Sequence, residues 1–231
     1  MIKDEKIDKE LQGKGVKFLP FVGDQYWYGI SFNDNGELVL GTKENPGKKV
    51  LVLNENHYCD KDLNEEKLSS FTRDVLGCYL NSEQYSGMRT FVKFERALSN
   101  TDTDSEERKG IWEHLIFYNY LQTPLYSARM VRPKEDYETA ATPFYKVLEI
   151  YKPDCIIVWG ERLCCDLPTI NMCHCLNLSS DVEIMVYDFR KYKAFVMPMY
   201  HPVSCLFSCG FWHENIVEFF KKCLYGTEMS I

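Results

Sequence analysis

The chain has no apolar run approaching the roughly 20 residues that a membrane-spanning helix requires, so no membrane partner is expected. It carries no Walker-type phosphate loop, no dinucleotide fingerprint and no Gly-x-Ser-x-Gly elbow. Nucleotide hydrolysis, hydride transfer and esterase chemistry therefore lack their usual markers. Basic residues are in deficit: 27 Lys and Arg stand against 34 Asp and Glu, a formal charge of -7. That balance argues against a surface coated for nucleic acid, because Lys and Arg supply most non-specific affinity for phosphate. A local basic face is conceivable at Arg129, Arg132 and Lys134, or at Arg190, Lys191 and Lys193, although solvated loop charge is the better reading of either cluster alone. There is no internal repeat, low-complexity tract or linker. A flexible segment over 1–15 and a single domain over 16–231 are expected. The start, Met1-Ile2-Lys3-Asp4-Glu5-Lys6, lacks the apolar core of a secretory signal, and the expected location is cytoplasmic.

What is present suits a packed globule: 45% hydrophobic and 14% aromatic residues. With such a core and no export signal, the ten cysteines read as reduced and mostly buried. Cys164-Cys165 and Cys173-His174-Cys175 form the most metal-like cluster, yet the separated Cys-x-x-Cys pairs of a familiar zinc site are missing, so no metal or other cofactor is expected.

The organising stretch is Lys49 to Tyr58. Val50-Leu51-Val52-Leu53 follows a Pro-Gly turn as an unbroken apolar run, the pattern of a strand buried on both faces in a parallel sheet. It ends abruptly in Asn54-Glu55-Asn56-His57-Tyr58, and open α/β sheets place ligands where such strands end. Upstream, aromatic and β-branched runs around Asn33-Asp34-Asn35-Gly36 predict a hairpin. Downstream, Leu68, Phe71, Val75 and Tyr79 predict a crossover helix over 64–80, with a second helix over 88–98 and a polar surface loop over 99–105. Strands are predicted at 115–118, ending at Asn119, and at 155–159, 183–187 and 194–199. Helices are expected before Lys152-Pro153, after Gly160, and around Trp212 to Cys223. This alternation implies an α/β fold, a three-layer αβα sandwich with a mainly parallel central sheet. Asn56, Asn119, Gly160 and His201 would then line one crevice.

In order and spacing, residues 48–224 resemble the uracil-DNA glycosylase superfamily. The matching segments are Asn54-Glu55-Asn56-His57-Tyr58, Phe117-Tyr118-Asn119, Ile156-Ile157-Val158-Trp159-Gly160 and His201-Pro202-Val203-Ser204. The resemblance implies a hydrolase that cleaves the N-glycosidic bond of uracil or a related damaged base in DNA, on a uracil-DNA glycosylase-like fold. It implies Asn56 and His201 as catalytic residues, the first positioning water and the second hydrogen-bonding the departing base. Asn119 would read the base edge, Tyr58 would wall off a thymine methyl, and Phe71 would be the stacking platform. Ser204 would touch phosphate, and DNA containing a damaged base would be the partner.

The pattern also departs from the family. Asn56 stands where many members have an aspartate, and an amide cannot accept a proton near neutral pH. Asn54 and His57 replace a Gly and a Pro, Val203 is inserted after Pro202, and the cysteine pair of iron-sulfur members is absent. Simpler readings run alongside: Asn56 and Asn119 as capping or loop-tying amides, His201 as a satisfied structural histidine, and His57 as a brace. The alternatives in function are a non-catalytic module that binds nucleic acid, nucleotide or protein, and an enzyme acting on a free nucleoside or small glycoside.

Overall fold

A computed structural model describes residues 1–56, 58, 64–81, 88–126 and 132–225, together with the backbone but not the side chains of 173–175 and 224–225. In chain order the elements are α1 (Glu5–Gln12), β1 (Phe21–Val22), β2 (Ile30–Phe32), β3 (Leu38–Leu40), β4 (Val50–Asn54), α2 (Glu65–Leu80), α3 (Arg89–Ser99), α4 (Ser105–Glu113), β5 (Leu115–Asn119), α5 (Lys134–Tyr151), β6 (Cys155–Trp159), α6 (Glu161–Cys165), β7 (Met172–Asn177), β8 (Glu183–Asp188), β9 (Lys193–Met199) and α7 (Cys209–Tyr225). Seven strands make one sheet in the order β1-β5-β4-β6-β9-β8-β7. Its centre, β5-β4-β6-β9, is parallel, while β1 and β8 run antiparallel to their neighbours.

Strand geometry sets the layering. Successive side chains point to opposite faces, so Val50, Val52, Leu115, Phe117, Ile157 and Trp159 enter one core with residues of α2, α3, α4 and α7. Leu51, Leu53, Ile116, Tyr118, Ile156 and Val158 enter a second core with α1, α5 and α6. Both faces are thus covered by helices, an arrangement compatible with a three-layer sandwich. Burial on both faces is also why these strands read as continuous apolar runs. The hairpin forms as β2 and β3, paired Ile30 to Leu40 and Phe32 to Leu38, with a short 3-10 turn at Tyr26–Tyr28 upstream.

Three elements depart from the sequence expectations. Within residues 1–15, α1 forms because Asp4 caps the amides of Lys6 and Ile7, Leu11 is fully buried, and Asp8 takes both terminal nitrogens of Arg73 at 2.7 Å. Just beyond the polar loop, α4 begins with a capping box in which Asp104 and Glu107 satisfy each other's backbone amides. Its Arg108 meets a fully buried carboxylate, Glu95, which also accepts from Tyr79 at 2.7 Å, Trp112 at 2.7 Å and Thr103 at 2.9 Å. Finally, β7 is an additional edge strand, and it carries Cys173, His174 and Cys175, whose side chains lie outside the described residues.

Candidate functional site at the carboxyl edge of the sheet

Parallel pairing sets Asn54 directly beside Asn119, at the ends of β4 and β5. The pairing continues past the strands, since Tyr120 donates its amide to the Asn54 carbonyl and Leu121 to the Glu55 carbonyl, both at 2.9 Å. Residues 54 and 55 are therefore held by backbone as firmly as the strand before them. In-register neighbours on a sheet share a face, and the Asn54 Nδ2 donates to Asn119 Oδ1 at 2.8 Å. The same nitrogen donates to the Asn56 carbonyl at 2.9 Å, fixing the turn out of β4.

His201 closes the group from β9. The Val203 amide donates to its Nδ1 at 3.3 Å, so that nitrogen is the acceptor and the proton belongs on Nε2. Nε2 then donates to Asn54 Oδ1 at 3.3 Å, and the imidazole edge rests against Trp159 at 6.0 Å between centroids. Burial pushes the His201 pKa below its ordinary value, with the Glu55 carboxylate pulling the other way. The ring is therefore neutral at pH 7 and presents one N–H. One amide, Asn54, thus joins the ends of β4 and β5 to the loop after β9.

A second group borders the first. Glu55 accepts a hydrogen bond from the Tyr137 hydroxyl, and Arg162 lies 3.6 Å from the same carboxylate oxygen while donating to the Tyr137 oxygen at 2.9 Å. Burial first, then the bond to Glu55, keeps Tyr137 protonated well beyond its ordinary range. Arg162 reaches this place because Gly160 turns the chain out of β6 at φ 106°, a backbone region open to glycine, with its amide held by the Met199 carbonyl at 2.8 Å.

No protein-family model matches the chain, and no curated protein proves similar to it. Geometry is what remains to argue from. Of the residues singled out from sequence, Asn119 and His201 meet through Asn54, and Asn56 joins by its carbonyl and by an Nδ2 contact of 3.3 Å to Glu55. Ser204 lies on the same loop as His201 and donates its amide to the His201 carbonyl at 2.8 Å. Its hydroxyl accepts from the Leu206 amide at 3.2 Å, and Lys93 donates to its carbonyl at 3.4 Å. Tyr58 stands apart, its backbone bridged to Leu125 and its residue surface 60% exposed. Phe71 lies on α2 with its ring edge-on to Phe18 at 6.5 Å, a half-buried packing position.

Arg132 does not offer itself to phosphate. It is buried, pairing with Asp136 at 3.1 Å and donating to the Thr123 carbonyl at 2.7 Å. Arg190, Lys191 and Lys193 line a hollow of about 390 Å³ with Lys48 and Asp154, at the amino edge where β4, β6 and β9 begin. His57 and Arg129 lie outside the described residues. Among the described residues no group of three His, Cys, Asp or Glu side chains is placed to hold a metal ion. The sequence reading missed Asn54 as the connecting amide, Glu55 with its partners Tyr137 and Arg162, and Lys93.

Proposed function

We propose that the chain is a DNA glycosylase-type hydrolase that cleaves the N-glycosidic bond of uracil or a related damaged base. The carrying observation is the hydrogen-bonded set Asn119–Asn54–His201, which joins two side chains able to serve an extruded base. Removing a base requires its polar edge to be held and the negative charge on the departing ring to be met by a donor. Asn119 carries an amide, a donor and an acceptor by type; its Oδ1 already accepts from Asn54 at 2.8 Å, so reading a base edge means exchanging that bond for one to the base. His201 is neutral, and its Nε2–H faces the interior of the cluster. Such a donor stabilises an anion without first having to lose a proton.

The surroundings suit a nucleic-acid substrate more than the net charge of -7 suggests. Lys93 sits beside the Ser204 carbonyl, and Val203 and Leu206 on the same loop are 61% and 68% exposed. Enzymes and architectural proteins that open a duplex insert such apolar side chains into the base stack. The second reading, a non-catalytic module that holds a base or nucleotide, is favoured by one feature: Asn56 brings an amide where a proton acceptor would serve.

The two readings separate on uracil-containing single- and double-stranded DNA. Base release by the wild type, lowered roughly 100-fold or more by Asn119→Ala, is expected of the glycosylase. Tight binding of a 2′-fluoro uracil strand with no base release from ordinary uracil DNA would favour the module. Release from free deoxyuridine that is insensitive to salt would move the substrate class to nucleosides.

A further inference from the structure

We infer that Glu55 is the group that orients and deprotonates the attacking water, taking the part that Asn56 cannot play. The inference rests on the glycosylase reading above and deepens it. Glu55 directly precedes Asn56 and directly follows Asn54, so the backbone that fixes the cluster fixes its carboxylate too. Its side chain is 26% exposed, shielded yet open to a solvent molecule.

The two carboxylate oxygens have different duties. Oε1 is committed: it accepts from the Tyr137 hydroxyl and faces Arg162 at 3.6 Å. Among the described residues, Oε2 receives only the Asn56 amide, in a long contact of 3.3 Å. An ionised carboxylate has about four acceptor directions, so Oε2 keeps room for a water, and the Asn56 side chain beside it can help to hold that water. The groups facing Glu55 among the described residues are Tyr137 from α5, Arg162 from α6 and His201 from the loop after β9. Tyr137 and Arg162 are positioning residues: they fix one oxygen so that the other points consistently.

The step balances without any further reagent. Water oxygen forms a bond to C1′ of the sugar as the C1′–N bond breaks, and that electron pair leaves with the base. Its charge is met by the His201 Nε2–H, which exchanges its long bond to Asn54 Oδ1 at 3.3 Å for one to the base. The water's proton passes to Glu55 and then to solvent, and solvent protonates the departed base.

The test measures single-turnover release of uracil by the wild type, Glu55→Gln and Glu55→Gln/Asn56→Asp, with the affinity of each for a 2′-fluoro uracil strand. Glutamine keeps the size and an acceptor oxygen but does not take up the proton. General-base loss predicts a rate drop of roughly 100-fold or more in Glu55→Gln, affinity unchanged within about 3-fold, and recovery of about 10-fold or more when Asn56→Asp returns a carboxylate one residue away. A bracing role alone would not produce that recovery. Glu55→Gln releasing uracil within about 3-fold of wild type, or losing rate and affinity together with no rescue, would overturn the inference while the glycosylase reading stands. Absence of release by the wild type would overturn that reading, and this inference with it.

Discussion

Replacing Asn54 by alanine removes one side chain and with it three hydrogen bonds: to Asn119 at 2.8 Å, to the Asn56 carbonyl at 2.9 Å, and from His201 at 3.3 Å. Two are of ordinary length and one is long. At about 1 kcal/mol net for an ordinary bond and less for the long one, Asn54→Ala is expected to cost about 2–3 kcal/mol. The fully buried Asn119 keeps this from falling to a surface value, since its Oδ1 would lose a donor where water is excluded. For a domain of this size the cost corresponds to a melting temperature about 5–10 °C lower. Urea unfolding followed by tryptophan fluorescence should show a shifted midpoint with an unchanged slope. A companion, Asn54→Asp, sets a carboxylate against the His201 Nε2–H and should raise the His201 pKa in an NMR titration. A loss below about 0.5 kcal/mol in Asn54→Ala, the range of an ordinary surface substitution, would refute the claim that this amide ties the strand ends together.

Glu95 is the other buried polar hub, and Glu95→Ala takes the counter-charge from buried Arg108 and the acceptor from Tyr79, Trp112 and Thr103; a loss of roughly 3–5 kcal/mol is expected, and under about 1 kcal/mol would show the network to be dispensable. The lowered His201 pKa has a definite sign: below about pH 6.5 the unfolded chain takes the proton before the folded one does, so this contribution to stability is whole above that pH and is lost as pH falls through the folded value. Subtracting the stability curve of His201→Gln from that of the wild type isolates it. A difference that grows more favourable to the wild type on acidification would contradict the assignment.

The central strands were legible in the sequence because burial on both faces writes itself as an unbroken apolar run, as in Val50-Leu51-Val52-Leu53 and Cys155-Ile156-Ile157-Val158. Their ends were legible for the same reason: the first polar residue after such a run marks the lip. What was not legible is pairing. Asn54 meets Asn119 across 65 positions and His201 across 147, and no local pattern announces either partner. One signal was available: if the runs 50–54 and 115–119 are parallel neighbours, their terminal amides fall in register. The helix α4 hid behind Arg108, a charged residue that goes inside where Glu95 and the Tyr79 hydroxyl meet it. The helix α1 hid because its hold on the fold is Leu11, the half-buried Ile7 and two ion pairs, Asp8 to Arg73 and Glu10 to Lys146, rather than a broad apolar face.

The central claim is that the carboxyl edge of the sheet is a base-excision site. Its most direct test is a single-turnover assay of free uracil released from a uracil-containing duplex, wild type beside His201→Ala. The account predicts release by the wild type and a rate lowered roughly 100-fold or more in the variant, with both proteins folded. Equal rates for the two, or no release by a folded wild type on single- or double-stranded substrate, would contradict it.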